Sequence, residues 1–349
     1  MNDRRFGGVT MRARITSMIA TILGLWLSTT AQAQDNFYKG KTIRIVVGGS
    51  AGGGYDTYSR TLARHWGKHI PGNPSFVVDN MPGAGSIISA NHVYKVAKPD
   101  GLTMGHPVGG IILQQVLGKQ GIEFDARKFL YVGAPAQDTL SVGVTKASGV
   151  TSMEQWLATK TPVKFGGIGP GTGTDDIPKV MRAMLGLPIQ LVTGYKGTAD
   201  IRLAVQSGEM QGLVNSWESF KSTWPKEIES GAVSLILVTI PKRHPELPNV
   251  PSISEYVKTD EAKKIVQVAV YDYGATARPY LLPPNTPKDR VLTLCRALQA
   301  TLKDPDLIAD AQRARLDLNP LTGEEMQEAV ERLFKLDKPL VEKLKEILK

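Results

Sequence analysis

The sequence predicts an α/β protein built as two lobes, and three observations carry that reading. Its 349 residues exceed what one core of roughly 150 residues needs. Short β-branched runs alternate with glycine-rich turns and helical periodicity, the pattern of βαβ units. Those units fall into two groups that divide near residue 139. A composition of 42% hydrophobic and 21% charged residues, with 35 Gly and 22 Pro, fits a globular chain and argues against disorder or a coiled coil. No repeat of solenoid period is present.

Element by element, Ile43 to Val47 reads as a buried first strand, followed by the loop Gly48-Gly49-Ser50-Ala51-Gly52-Gly53-Gly54. Asp56 is expected to cap a helix from Thr57 to His69, which Pro71-Gly72-Asn73-Pro74 stops. Ser75 to Val78 is a second strand, Asn80 to Gly85 a second glycine turn, Ser86 to Ala97 a helix, and Leu102 to Gly105 a third strand. The second group has strands at Leu140 to Val144 and Val163 to Phe165 with a short helix at Met153 to Ala158 between them. A third glycine turn, Gly166 to Thr174, leads into a helix opened by Asp175 or Asp176 and running to Leu185. Ile189 to Val192 is a strand, Thr198 to Ser207 a helix and Gly212 to Asn215 a strand. The stretch from Leu235 through Pro241 to Pro251 reads as a return crossing, and Asp289 to Lys303, Glu324 to Leu336 and Pro339 to Leu348 as terminal helices.

The formal charge of +9 invites a nucleic-acid reading, but part of it sits in an expected signal peptide. Arg4, Arg5, Arg12 and Arg14 precede an apolar stretch from Ile15 to Leu27, and Ala31-Gln32-Ala33 offers small residues at signal-peptidase offsets. Cleavage after residue 33 would leave +6, with the remaining cations interleaved with acids as in Glu342-Lys343-Leu344-Lys345-Glu346. Nucleic acid is not expected as a partner. The apolar stretch is 13 residues long and no later run approaches the roughly 18 of a membrane span. A single cysteine, Cys295, excludes an intramolecular disulfide and a four-thiolate zinc site, and its apolar helical pattern marks it as core.

Three times a strand ends in a glycine-rich turn that opens a helix. Bare N–H groups there, with the helix dipole behind them, can hold an anion without Lys or Arg. Two such turns in one lobe facing one in the other could clamp a small acid. The first loop also matches the G-x-S-x-G nucleophile elbow at Gly48-Gly49-Ser50-Ala51-Gly52, so a secreted serine hydrolase using Ser50 is the alternative. Against it, no loop precedes the first strand to form an oxyanion hole, Gly53-Gly54 delays the helix, and His244 is the latest candidate base. A dinucleotide fingerprint and a Walker lysine are both lacking, so no cofactor is expected. His65 and His69 share a helix face, but Trp66 stands where a zincin has Glu, and no metal is expected.

The order and spacing of these segments resemble the periplasmic solute-binding receptors of tripartite tricarboxylate transporters, the Bug family. The resemblance rests on Ile43 to Val47 leading to Gly52-Gly53-x-x-Asp56, then Asn80-x-Pro82-Gly83-Ala84-Gly85 with Ala90, Pro99-Asp100-Gly101, Gly169 to Thr174, Tyr195-Lys196-Gly197 and Gly208-Glu209-Met210. It covers nearly all of the chain after residue 33. The resemblance implies a two-lobe Venus-flytrap periplasmic binding protein, type II-like, with the ligand in a cleft between lobes. Lobe I would comprise 34–138 and 241–349, and lobe II 139–240.

It further implies a monomeric periplasmic receptor, not an enzyme, that captures a small organic carboxylate by lobe closure and delivers it to membrane permease subunits. A receptor reporting to a sensor kinase is a closely related alternative. Carried over by position, Gly52, Gly53, Gly54 and Asp56, with Tyr55 beside them, form one wall, and Gly83, Ala84 and Gly85 the next. Gly171, Thr172, Gly173 and Thr174 with Tyr195 form the opposing lobe. Side chains around Tyr55, Asn215 and Trp217 would set the ligand's identity, and Lys196 would be secondary. The sequence departs from the family pattern at Ala51, where proline is usual, and at Tyr55, where a small or hydroxyl residue is common.

Overall fold

The computed structural model describes residues 37–349, so the expected signal peptide and its cleavage site lie outside the described residues. The strand runs assemble into two mixed sheets. In the first, β1 (Thr42–Val47) pairs in parallel with β2 (Ser75–Asn80) on one side and β3 (Thr103–His106) on the other. β4 (Leu130–Ala134) also belongs to this sheet. The second sheet is built from β5 (Leu140–Thr145), β6 (Val163–Gly167), β7 (Ile189–Thr193), β8 (Gly212–Ser216) and β9 (Val233–Val238), in the order β7-β6-β8-β5-β9. The chain then returns to the first sheet with β10 (Tyr280–Leu282), antiparallel between β3 and β4, and β11 (Leu321–Thr322) on the outer side of β4.

The alternation of β1 explains why its sheet is covered on both faces: Ile43, Ile45 and Val47 join a core with Leu62, Trp66 and Leu298, while Val46 faces the opposite layer with Ile87 and Val93. In the second lobe Ile177, Val180 and Met181, one stripe of the helix Gly173–Leu185, pack with Val142, Phe165 and Val214. Phe220, Trp224 and Leu213 fill the other side. Full burial of aromatic side chains such as Trp66, Trp156 and Trp224 supplies about 1.5–3 kcal/mol or more each by area.

Several expectations are corrected here. The first helix is Gly54–Trp66, so its cap is Gly53 and Asp56 lies inside its first turn. The stretch read as a crossing begins with β9, whose Val233, Ile236, Leu237 and Val238 are buried against β5; the chain leaves the second sheet after it. The sequence reading contains no strand at β4, β10 or β11, because short strands with a glycine or two residues of ladder carry no usable period. The last helix, Lys338–Leu348, packs on Gly173–Leu185, and Lys179 Nζ donates to the Leu348 carbonyl at 3.1 Å. One continuous core therefore runs from Val46 through Ile265, Val266 and Val270 to Val142 and Leu344. Among the described residues no helix is long and apolar enough to cross a membrane.

Candidate functional site

Two connections between the sheets define the site. Ala134 to Leu140 leads into the second sheet, and Thr276 to Tyr280 leads back to the first. They touch where Arg278 of the second donates to the Asp138 carboxylate of the first, and Asp138 N–H donates to the Gly274 carbonyl just before the second at 3.2 Å. Beside them, between the lobes, lies a small, partly open cavity of about 50 Å³. Its first-lobe wall is the Gly48 to Tyr55 loop, and its second-lobe wall includes Thr172 to Thr174, Gly197, Thr198 and Asn215.

Arg278 dominates the chemistry of this cavity. Its side chain is 0% exposed, and its backbone has φ +56°, a left-handed conformation that costs a non-glycine residue of order 1–3 kcal/mol. Surrounding contacts fix it there. Nε donates to the buried Asp138 carboxylate, Nη2 donates to Ser216 Oγ and Ser219 Oγ at 2.8 Å each, and the guanidinium lies 4.8 and 4.3 Å from the Tyr55 and Tyr58 ring centroids. Burial works to lower its pKa, but Asp138 and the neighbouring tyrosines outweigh that and keep it charged. Nη1 has no hydrogen-bond partner. Behind the pair, Glu218 accepts the Thr139 N–H at 3.1 Å, and burial followed by the Asp138 charge pushes its pKa up to about 7.

Three more buried polar atoms of the cavity lining lack partners: Ser50 Oγ, Tyr55 OH and Asn215 Nδ2. The Tyr55 hydroxyl is close to Tyr273 and to the Arg278 main chain without reaching hydrogen-bond geometry with either. Buried polar atoms in native folds are almost always paired, and four unpaired ones cluster around this cavity. Val108, Leu140, Ile168 and Val214 supply apolar lining.

Of the residues expected at the site, the structure brings Gly53, Gly54, Tyr55, Thr172, Gly173, Thr174 and Asn215 to the cavity. It places the others elsewhere. Gly52 N–H donates to the Asp56 carboxylate at 2.8 Å, and Asp56 is paired with Arg60, so both are committed to the loop itself. Gly83 packs toward the Ile88 side chain, Ala84 has φ +46° beside it, and Gly85 lies against the Pro170 carbonyl. Gly171 N–H is taken by the Asp176 carboxylate and Gly169 N–H by Asp175. The third glycine turn thus satisfies its anion-seeking N–H groups with its own carboxylates; burial first pushes Asp176 up to about 7, with Lys179 opposing it. Gly173 N–H is held by the Tyr273 hydroxyl at 3.0 Å. Tyr195 OH donates to Glu209 at 2.8 Å, outside the cavity. His65 and His69 each face a different carboxylate, Asp310 and Asp304.

Much of the glycine in these turns serves lobe-to-lobe contact. A Cβ on Gly197 would collide with Ser50, one on Gly85 would lie 2.6 Å from the Pro170 carbonyl, and one on Gly53 would lie 3.1 Å from Thr198 Oγ1. The lobes are closed onto each other across backbone that only glycine allows.

The sequence model of the tripartite tricarboxylate transporter family receptor matches residues 60–345. This chain belongs to that receptor family. Among curated relatives, the UPF0065 protein in the gbd 5′ region of Cupriavidus necator is 26% identical over 339 residues, 95% of this chain and 96% of that one. A UPF0065 protein of Bordetella bronchiseptica is 27% identical over 73% of this chain and 74% of its own length. Among solved structures, the periplasmic binding protein BugD superposes with a TM-score of 0.72 at 21% identity, covering 89% of this chain and 98% of BugD. MatC from Rhodopseudomonas palustris with bound malate gives 0.70 at 17%, covering 88% and 99%. Another R. palustris protein, with adipate, gives 0.70 at 23%, covering 88% and 97%. These likenesses establish the two-lobe periplasmic-binding-protein fold.

Within this receptor, the residues missed by sequence reasoning are Arg278, Asp138, Ser216, Ser219, Thr198 and Tyr273. The available signal for Arg278 was a single charge in the otherwise uncharged run Tyr273 to Pro284, which a folded chain must bury with a partner or expose.

Proposed function

We propose that this receptor is exported to the periplasm, cleaved near Ala33, and there closes its lobes over a small organic carboxylate for delivery to the permease subunits of a tripartite tricarboxylate transporter. It acts as a monomer and without catalysis. Lobe I comprises 34–138 and most of 241–349, and lobe II 139–240, with the last helix crossing to lobe II. The observation that carries this reading is the set of four unpartnered polar atoms at the interlobe cavity, Ser50 Oγ, Tyr55 OH, Asn215 Nδ2 and Arg278 Nη1. One of them carries a positive charge whose remaining N–H suits a carboxylate oxygen.

Ligand contacts to both lobes favour the closed state only through their differential affinity for it. Ser50 and Tyr55 belong to the first lobe and Asn215 to the second, while Arg278 sits on the return connection, so one carboxylate reaching them links all three. Among the described residues no histidine lines the cavity beside Ser50, which supports a binding role for that hydroxyl. A thermal-shift screen of the processed protein against mono-, di- and tricarboxylates tests the reading. A ligand at a hundredfold excess over Kd stabilises the native state by about 2.7 kcal/mol, and no shift with any acid would remove it.

A further inference from the structure

We infer that the receptor selects an acid with a single carboxylate and an uncharged, apolar body, and discriminates against di- and tricarboxylates. This rests on the receptor reading above and concerns the same cavity. The charged side chains in its lining are Arg278 and Asp138, and they are paired with each other. Their formal charges cancel, so the lining offers no net positive field. Directly behind them stands a third ionisable side chain, the acid Glu218, within reach of the Asp138 connection through Thr139 N–H.

Among the lining side chains, the unpartnered hydrogen-bonding atoms are correspondingly few. Arg278 Nη1 and Asn215 Nδ2 are donors, and the Ser50 and Tyr55 hydroxyls can donate as well. That set suits the two oxygens of one carboxylate. The rest of a ligand meets Val108, Leu140, Ile168 and Val214 with the Tyr273 ring. A second carboxylate there would lose its water without gaining a cation, the costly case for a buried charge. Among the described residues, Lys221 is held by Glu246 and Asp317, Lys179 by the Leu348 carbonyl and Arg60 by Asp56, while Lys196, beside the lining residue Gly197, is exposed to solvent. The pairing of Asp138 with Arg278 therefore makes Asp138 a specificity-determining residue, since it cancels the charge that would otherwise attract a dianion.

The test is titration calorimetry on the processed wild-type chain with acids matched in skeleton: benzoate against terephthalate, and hexanoate against adipate, with benzamide as the uncharged control. At least one monoacid binding tenfold or more tighter than its diacid, with benzamide weaker than benzoate, supports the inference. Diacids binding as tightly as monoacids overturn it while leaving the receptor reading in place; benzamide equal to benzoate overturns it as well. Absence of binding by every acid in a panel extended to malate and citrate removes the receptor reading itself. As a second measurement, Asp138→Asn keeps an acceptor for Arg278 Nε and raises the lining charge by one. Its preference should move toward the diacid by about tenfold, and an unchanged ratio in the folded variant counts against the charge argument.

Discussion

Arg278 and Asp138 stand on the two opposite connections between the sheets, 140 residues apart in sequence, and meet as a buried ion pair. The pair ties the outgoing connection to the returning one, Nη2 donates to two lobe II serines, and Nη1 has no partner. In the proposed function, structural closure and ligand recognition therefore share one side chain.

Breaking that pair from one side should be expensive. Arg278→Gln leaves Asp138 buried without its cation and should lower unfolding stability by about 3–5 kcal/mol. Arg278→Gln combined with Asp138→Asn removes both charges and should recover a large part of the loss. Urea unfolding of the two single variants and the double variant gives the coupling; additivity within about 0.5 kcal/mol would show that the pair does not act as a unit.

Gly197→Val should keep both lobes folded yet prevent their closure, because the new side chain enters the space of Ser50. Gly85→Val adds strain at φ +62° to its clash with Pro170 and should act the same way. Far-UV circular dichroism should be unchanged, the radius of gyration from X-ray scattering should increase, and affinity should fall at least tenfold. A closed, tightly binding Gly197→Val protein would contradict the contact geometry.

Glu218 and Asp176 give stability a definite slope with pH. Burial, the leading cause for both, raises their pKa values to about 7, with Asp138 adding to the shift at Glu218 and Lys179 opposing it at Asp176. A carboxyl whose folded pKa lies above its unfolded value binds more protons when folded. Its stabilising contribution is full below the ordinary carboxylate range and is lost as pH rises through about 7. Stability should therefore fall as pH rises from the ordinary carboxylate range to about 7 and level off above that, and Glu218→Gln or Asp176→Asn should flatten that slope. Thermal melts across the interval check the sign.

Ser50→Ala should weaken binding by no more than about tenfold, the loss of one hydrogen bond of roughly 0.5–1.5 kcal/mol. A fluorophosphonate should not label the wild type. Stoichiometric labelling at Ser50, read by mass spectrometry, would restore the hydrolase alternative.

The sequence made the strand–glycine–helix units legible because each combines a β-branched run, turn residues and a 3.6-residue period. The placing of Gly53, Gly54, Tyr55 and Thr172 to Thr174 in the ligand cleft came from the resemblance to the receptor family, and the cavity is lined by them. The role of individual glycines was not legible. Gly85 and Gly197 face backbone or side chains of the other lobe, a relationship created by closure and absent from local sequence. Gly52 and Gly171 looked like open anion donors, but Asp56 and Asp176, four and five residues onward, occupy their N–H groups. Arg278 stayed hidden because Asp138, Ser216 and Ser219 reach it only through tertiary folding, and no glycine turn marks its position.

The central claim, that a carboxylate is held between the lobes by the free edge of Arg278, is tested most directly by calorimetric titration of wild type and Arg278→Gln with the tightest-binding acid of the screen. The account predicts one site per chain in the wild type and at least a thirtyfold loss of affinity in the variant at matched secondary structure. Equal affinity in the two proteins would contradict it.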